Sequence, residues 1–253
     1  MGALLGPLAD AASPRALAEQ ARTYAGEGFT SLWSAQAVGR GFMITDPLIA
    51  LTVAATVTDE VEIGTAVLQV PLYPAMDLAH RVFSLQQLCG ERLILGVGAG
   101  STAADFAAFG RDYAARFASF QQSVDALREI LATGSHDDVT LSPWPNVLGG
   151  PPLLLGSWGN GVERAAREFD GWIASAAYRS VEEIESAARR YREAGGGRSI
   201  VSTIQIGADT DLGALREKLH RFAEAGFDDA VVMILPGGPP PGDVRKLVRT
   251  PQA

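Results

Sequence analysis

Two glycine-rich windows hold the residues best suited to grip a ligand. The first is Gly96-Val97-Gly98-Ala99-Gly100-Ser101. It approaches the dinucleotide fingerprint but fails it. Ser101 stands where the last glycine belongs, the following helix starts too late, and no acidic residue ends a strand about 20 residues on. Taken by itself it is equally a tight turn. The second is Ser157-Trp158-Gly159-Asn160-Gly161, between a strand and a helix. Backbone amides at a helix start, joined by a serine or asparagine side chain, form an anion site; the plainer alternative is a helix cap. Neither window has the lysine of a triphosphate loop. The three histidines are weak acid–base candidates, since His80 and His220 fall within helices and His136 in an irregular stretch. Asp137-Asp138 reads as an exposed acidic pair, and no carboxylate–histidine spacing suggests a metal. Arg40 and Tyr73 fall in loops and could line a pocket.

These windows need a scaffold, and 253 residues match the roughly 250 of one closed α/β barrel. The charge is −8, and lysine occurs only at positions 218 and 246, so no basic stripe exists to track a phosphate backbone. Nucleic-acid binding is not expected. Cys89 is the only cysteine, which excludes an intrachain disulfide and a CxxC metal knuckle. The first fourteen residues contain Asp10 and no Lys or Arg, unlike a secretory leader. The most apolar stretch, around Leu48 to Val57, is far short of the ~20 residues of a membrane span. A cytoplasmic protein is expected.

Strand and helix alternate along the chain. Met1 to Leu5 is an apolar run, and Ser13-Pro14 opens a helix over Arg15 to Ala25. Phe29 to Ser34 reads as a strand, and Asp46-Pro47 caps a helix running to about Thr58. Strands at 61–70 and 92–97 flank a helix over 74–88. A loop then leads to a helix at 113–131 and an irregular insertion at 132–150. Strands at 152–155, 172–175, 200–206 and 230–234 alternate with helices at 161–168, 181–194 and 212–225. Pro236 to Gly242 reads as a tail or rim loop. The strands are near-continuous apolar runs, as in a parallel sheet buried on both faces. About eight such units favour a single (β/α)8 barrel domain spanning 1–253, with its active site at the carboxyl ends of the strands.

Several blocks, in order, resemble the bacterial luciferase-like superfamily of flavin- and deazaflavin (coenzyme F-420) dependent oxidoreductases. They are Gly28-Phe29-Thr30-Ser31-Leu32-Trp33, Gly64-Thr65-Ala66-Val67 with Pro71 and Pro74, and Glu91 through Gly100. Asp105-Phe106 with Gly110 and Arg116, then Asp170-Gly171-Trp172, complete the set. The resemblance implies an α/β barrel and a non-proline cis peptide at Ala66-Val67, backing the cofactor ring. It places Trp33 and Ser34 beneath that ring. Gly98, Gly100 and Ser101 would lie along the cofactor tail, and Ser157, Trp158, Gly159, Asn160 and Gly161 would hold its phosphate.

The departures carry information too. Many members end strand two with an Asp-His pair, where this chain has Ala35-Gln36, and one branch has a glutamate where Ser101 stands. Gln36, the remaining catalytic candidate, can orient a ligand but cannot shuttle a proton at neutral pH. A deazaflavin transfers hydride only, and loss of the strand-two histidine points to coenzyme F-420, with FMN as the alternative. The expected activity is hydride transfer between that cofactor and a small organic substrate. An FMN-dependent monooxygenase and a non-catalytic flavin carrier are the competing readings. No metal is expected, and assembly as a homodimer is left open.

Overall fold

The computed structural model describes residues 1–6, 13 and 15–248. Its elements begin β1 (Gly2–Leu4), α1 (Ala16–Gly26), β2 (Ser31–Ser34), α2 (Pro47–Val57), β3 (Glu62–Thr65), β4 (Leu68–Gln69) and α3 (Ala75–Cys89). There follow β5 (Leu93–Gly98), α4 (Ala103–Ala108), α5 (Arg116–Thr133), β6 (Ser135–His136), β7 (Val139–Thr140) and β8 (Leu153–Gly156). The chain ends with α6 (Gly161–Glu168), β9 (Gly171–Ser175), α7 (Val181–Glu193), β10 (Arg198–Ile206), α8 (Leu212–Glu224), β11 (Asp229–Ile234) and α9 (Pro241–Lys246). The strands β1, β2, β3, β5, β8, β9, β10 and β11 pair in that order, all parallel. β11 pairs back to β1, so the sheet is a closed eight-stranded barrel.

Local chemistry sets the element boundaries. Asp46 accepts from the Leu48 and Ile49 amides at 3.0 and 3.2 Å, with Pro47 at the first helical position, as the sequence requires. Five details differ from the sequence reading. The first helix is capped at Arg15, whose amide donates to Ser13 Oγ at 3.3 Å; Pro14 and Asp10 lie outside the described residues. The third strand is interrupted, ending as β3 and resuming as β4 beyond Ala66-Val67. The loop after β5 contains the short helix α4, and the 132–150 insertion contains the antiparallel β6–β7 pair. The tail contains α9, which starts at a proline.

The core forms two layers, one inside the barrel and one between strands and helices. Leu4, Trp33, Ala66, Ile94, Leu154, Ile173, Ile200 and Val231 fill the interior. Trp33 is fully buried there, and its Nε1 donates to Ser31 Oγ at 2.8 Å, which donates to Asp229 Oδ2 at 2.6 Å. Satisfying the indole N–H keeps the full benefit of burying so large a side chain, on the order of 3 kcal/mol. The interior is therefore plugged below, and any ligand must enter from the carboxyl ends of the strands.

Candidate functional site

The mouth of the barrel is organised around Val67. The Ala66-Val67 bond is cis, as the resemblance implied, and the Ala66 amide donates to the Ser34 carbonyl at 2.8 Å. The interruption turns the Val67 side chain inward, where it packs on the interior cluster. Two glycines make room for it. A Cβ on Gly98 would lie 2.9 Å from Val67 Cγ2, and one on Gly156 would lie 2.6 Å from Cγ1. Both distances are closer than real side chains approach. The half-buried isopropyl group is left as an apolar platform facing the open end.

The other expected cofactor residues separate into those at the mouth and those away from it. Trp33 lies in the plugged interior with no exposed surface. Ser34, the next residue along β2, alternates to the opposite face and is 2% exposed. The space beside Gly98 is taken by Val67, and that beside Gly100 by Gln69 Oε1 and the Phe106 ring, at 2.5 and 2.7 Å from a built Cβ. These glycines thus serve internal packing first. Ser101 is exposed, and its carbonyl accepts from the Tyr113 hydroxyl at 3.0 Å.

In the second window, Ser157 Oγ donates to the Gly161 carbonyl at 2.7 Å, and the Gly161 amide donates to the Trp158 carbonyl at 3.1 Å. Trp158 stacks edge-on against Trp172 and lies under the Arg179 guanidinium. Gly159 adopts φ +61 with open space where a side chain would project, and both it and Asn160 are exposed. Asn160 caps α6 without a side-chain hydrogen bond; the Gly161 and Val162 amides donate to the Trp158 and Gly159 carbonyls, and the turn at Gly159 and Asn160 that opens the helix is exposed. This end retains the partial positive charge that attracts anions.

Gln36 is committed to a buried network that the sequence did not reveal. Its Nε2 donates to the Tyr73 hydroxyl at 2.5 Å, and its Oε1 accepts from the Gln69 amide at 2.8 Å. Gln69 Nε2 donates to Asp105 Oδ2 at 2.7 Å. The fully buried Asp105 also accepts from the Val38 amide at 3.0 Å and from both Nε and Nη2 of Arg40. Burial by itself would raise the Asp105 carboxyl, but the Arg40, Val38 and Gln69 donors outweigh it and hold it below its usual range. Burial pushes the Tyr73 phenol up to about 12, so it stays protonated at neutral pH. A carboxylate can only accept, so the Gln69 amide nitrogen must face Asp105. Gln69 Oε1 then points at Gly100, buried and without a hydrogen-bond partner. The network ties the β2–α2 loop, β4 and α4 together beside the mouth. Beneath that loop lies a crevice lined by Val38, Phe42, Met43, Ile44 and Phe109.

Arg116 stacks between the Tyr113 and Phe117 rings, at 4.1 and 4.3 Å. Among the described residues no cluster of His, Cys, Asp and Glu could hold a metal ion, and no helix is long and apolar enough to cross a membrane. The two residues following each barrel strand include no Asp, Glu, Lys, Arg or His. Immediately past the barrel strands, the residues are thus apolar or neutral polar.

A closed parallel barrel with its ligand face at the strand ends, a cis bond in the third strand and an open helix terminus after the fifth define an α/β-barrel protein of the luciferase type. Residues 3–233 match the luciferase-like monooxygenase family, and the chain belongs to it. A 4-hydroxyprotoasukamycin monooxygenase from Streptomyces nodosus subsp. asukaensis is 30% identical over 118 residues, 46% of this chain but only 32% of that protein. Among solved structures, a Streptomyces bottropensis monooxygenase superposes with a TM-score of 0.76 at 17% identity, covering 97% of this chain and 95% of the other. The coenzyme F-420 dependent tetrahydromethanopterin reductase from Methanopyrus kandleri gives 0.71 at 15% identity, covering 98% and 96%. The oxygenating constituent of a Pseudomonas putida 3,6-diketocamphane monooxygenase, in complex with FMN, gives 0.67 at 18% identity, covering 87% and 70%. At these identities the structural likeness speaks for the fold.

Proposed function

We propose that this protein is a coenzyme F-420 dependent oxidoreductase that moves a hydride between the deazaflavin and a small organic substrate. The observation that carries this reading is the mouth itself. It offers an apolar platform at Val67, backed by Gly98 and Gly156, and no proton-shuttling side chain in the two residues after any barrel strand. Such a site suits a reaction in which the protein supplies position and the cofactor supplies the redox chemistry. The residues present fit a flat ring with an anionic tail. Ala66 and Val67 would back the ring, and the open amino end of α6 at Gly159 and Asn160 would take the phosphate. The deazaflavin, when bound, supplies a two-electron hydride donor or acceptor.

The protein's own contributions are then four. Val67 sets the depth of the ring, and the plugged interior keeps it from sinking further. The Gln36–Gln69–Asp105–Arg40 network fixes the wall beside it. Tyr73 stays protonated and holds no charge there. In this reading Gln36 is a positioning residue, because both ends of its amide are engaged within the protein. A homodimer belongs to the same proposal, since the apolar helix α2 leaves Ile49 60% exposed.

An FMN-dependent monooxygenase is the second reading, favoured by the family's own description. Fluorescence titration of the purified protein with coenzyme F-420 and with FMN separates the two. The proposal expects saturable binding of the deazaflavin and weaker binding of FMN. Tight FMN binding with oxygen-dependent substrate oxidation, and none of the deazaflavin, overturns it. Binding without turnover for any donor and acceptor pair would make the protein a carrier.

A further inference from the structure

The seventh barrel strand, β10, is irregular at the place that faces Ala66-Val67. In the closed ring the third and seventh strands are four steps apart in either direction, so their carboxyl ends oppose each other across the mouth. Along β10, Val201 pairs with Ala230 but Ile204 pairs with Val232, three steps against two. One extra residue is therefore inserted, a β-bulge. Thr203 within it adopts φ +60, a conformation that β-branched residues rarely take. Backbone strain of this kind gathers where structure serves a ligand.

The bulge changes which side chains face inward. Ile200 fills the barrel interior and Val201 faces the helices. Uninterrupted alternation would send Ile204 and Ile206 inward. Both instead pack in the outer layer, 1% and 0% exposed. Gln205 takes the inward side, paired with Met233, which packs on the interior cluster. It is exposed, and among the described residues its amide has no hydrogen-bond partner.

We infer that Gln205, turned inward by the Thr203 bulge, is a specificity residue that holds the carbonyl or hydroxyl group of a neutral organic substrate against the open face of the ring. This rests on the ring seat proposed above. A carboxamide both donates and accepts, so it serves either group. Among the described residues, a charged substrate would meet no free counter-ion there. Arg40 is spent on Asp105 and Arg179 pairs with Glu183, and an unpaired ion is costly to remove from water. A substrate with no polar group would leave the Gln205 amide unpaired once the mouth is covered, which disfavours it.

Equilibrium dialysis with three matched probes tests this: 2-acetylnaphthalene, naphthalene and 2-naphthoate. Each is measured on the protein alone and on protein saturated with coenzyme F-420 or FMN, with cofactor binding recorded in the same samples. The ketone should bind about fivefold tighter than naphthalene, the factor one neutral hydrogen bond supplies, and about tenfold or more tighter than the carboxylate. Gln205→Leu should bring the ketone to naphthalene's level and leave cofactor affinity unchanged. Equal binding of the carboxylate, a ketone preference that survives Gln205→Leu, or failure of all three probes to bind overturns the inference. Loss of cofactor binding in the wild-type samples overturns the ring seat instead, and the dialysis on protein alone still reads the contribution of Gln205.

Discussion

Val67 occupies the space that side chains on Gly98 and Gly156 would need, so one isopropyl group ties three strands together at the mouth of the barrel. The contact is rigid because valine has little χ1 freedom. Gly156→Ala is expected to overpack this point and lower stability by about 1–3 kcal/mol. Combining it with Val67→Ala should recover much of that loss. A urea-denaturation double-mutant cycle measures the coupling, and strictly additive effects would show that Val67 is not what fills the space.

Asp105 anchors the wall beside that mouth. Asp105→Asn should cost about 3 kcal/mol, at the low end for stripping a partner from a buried ion pair, because Arg40 keeps a quarter of its side chain exposed. The pH dependence has a definite sign. Asp105 is held below its unfolded value, so its contribution is complete at neutral pH and is lost as the pH falls below about 4. Denaturation midpoints for the wild type and Asp105→Asn should therefore converge in acid. A gap that stays constant down to pH 3 would contradict the assignment.

Gly159 tests the phosphate end of the proposed cofactor site. Gly159→Glu places a carboxylate at the open amino end of α6 and should abolish binding of coenzyme F-420 or FMN. Gly159→Ala shares the conformational cost of φ +61 without the charge and should retain most of the affinity. Equal affinity for the glutamate variant in a fluorescence titration would move the phosphate elsewhere.

Thr203→Gly removes a β-branched side chain from φ +60. The relieved strain, about 1–3 kcal/mol, exceeds the entropic cost of glycine, so net stability should rise by about 1 kcal/mol. Thermal unfolding gives the answer, and a lower midpoint would mean that the Thr203 side chain contributes packing worth more than its strain.

Much of the barrel was legible before any coordinates. The apolar runs at Leu93–Gly98 and Leu153–Gly156, and the Asp46-Pro47 start of α2, carry their own chemistry in the residues. Short elements were not. Helix α4 is six residues long, under two turns, which is too few for a periodic pattern to stand out. The β6–β7 pair turns through Asp137, at φ +49, without the glycine that marks such turns. At the site, Ala66 and Val67 could be located because neighbouring motifs flank them. The roles of Gln69 and Gln205 could not. Gln69 gains its partner from a helix 36 residues away, and Gln205 faces inward only because of a bulge that leaves no mark in an apolar run.

The extra residue in β10 is absorbed at the bulge, so the strand beyond it faces as it would in a chain one residue shorter. Deleting one codon at 202 or 203 would give regular alternation from Ile200 and still leave Ile204 and Ile206 toward the helices and Gln205 toward the mouth. What the longer chain adds is a backbone step at the rim, with Thr203 at φ +60, set into the strand without exchanging its two faces.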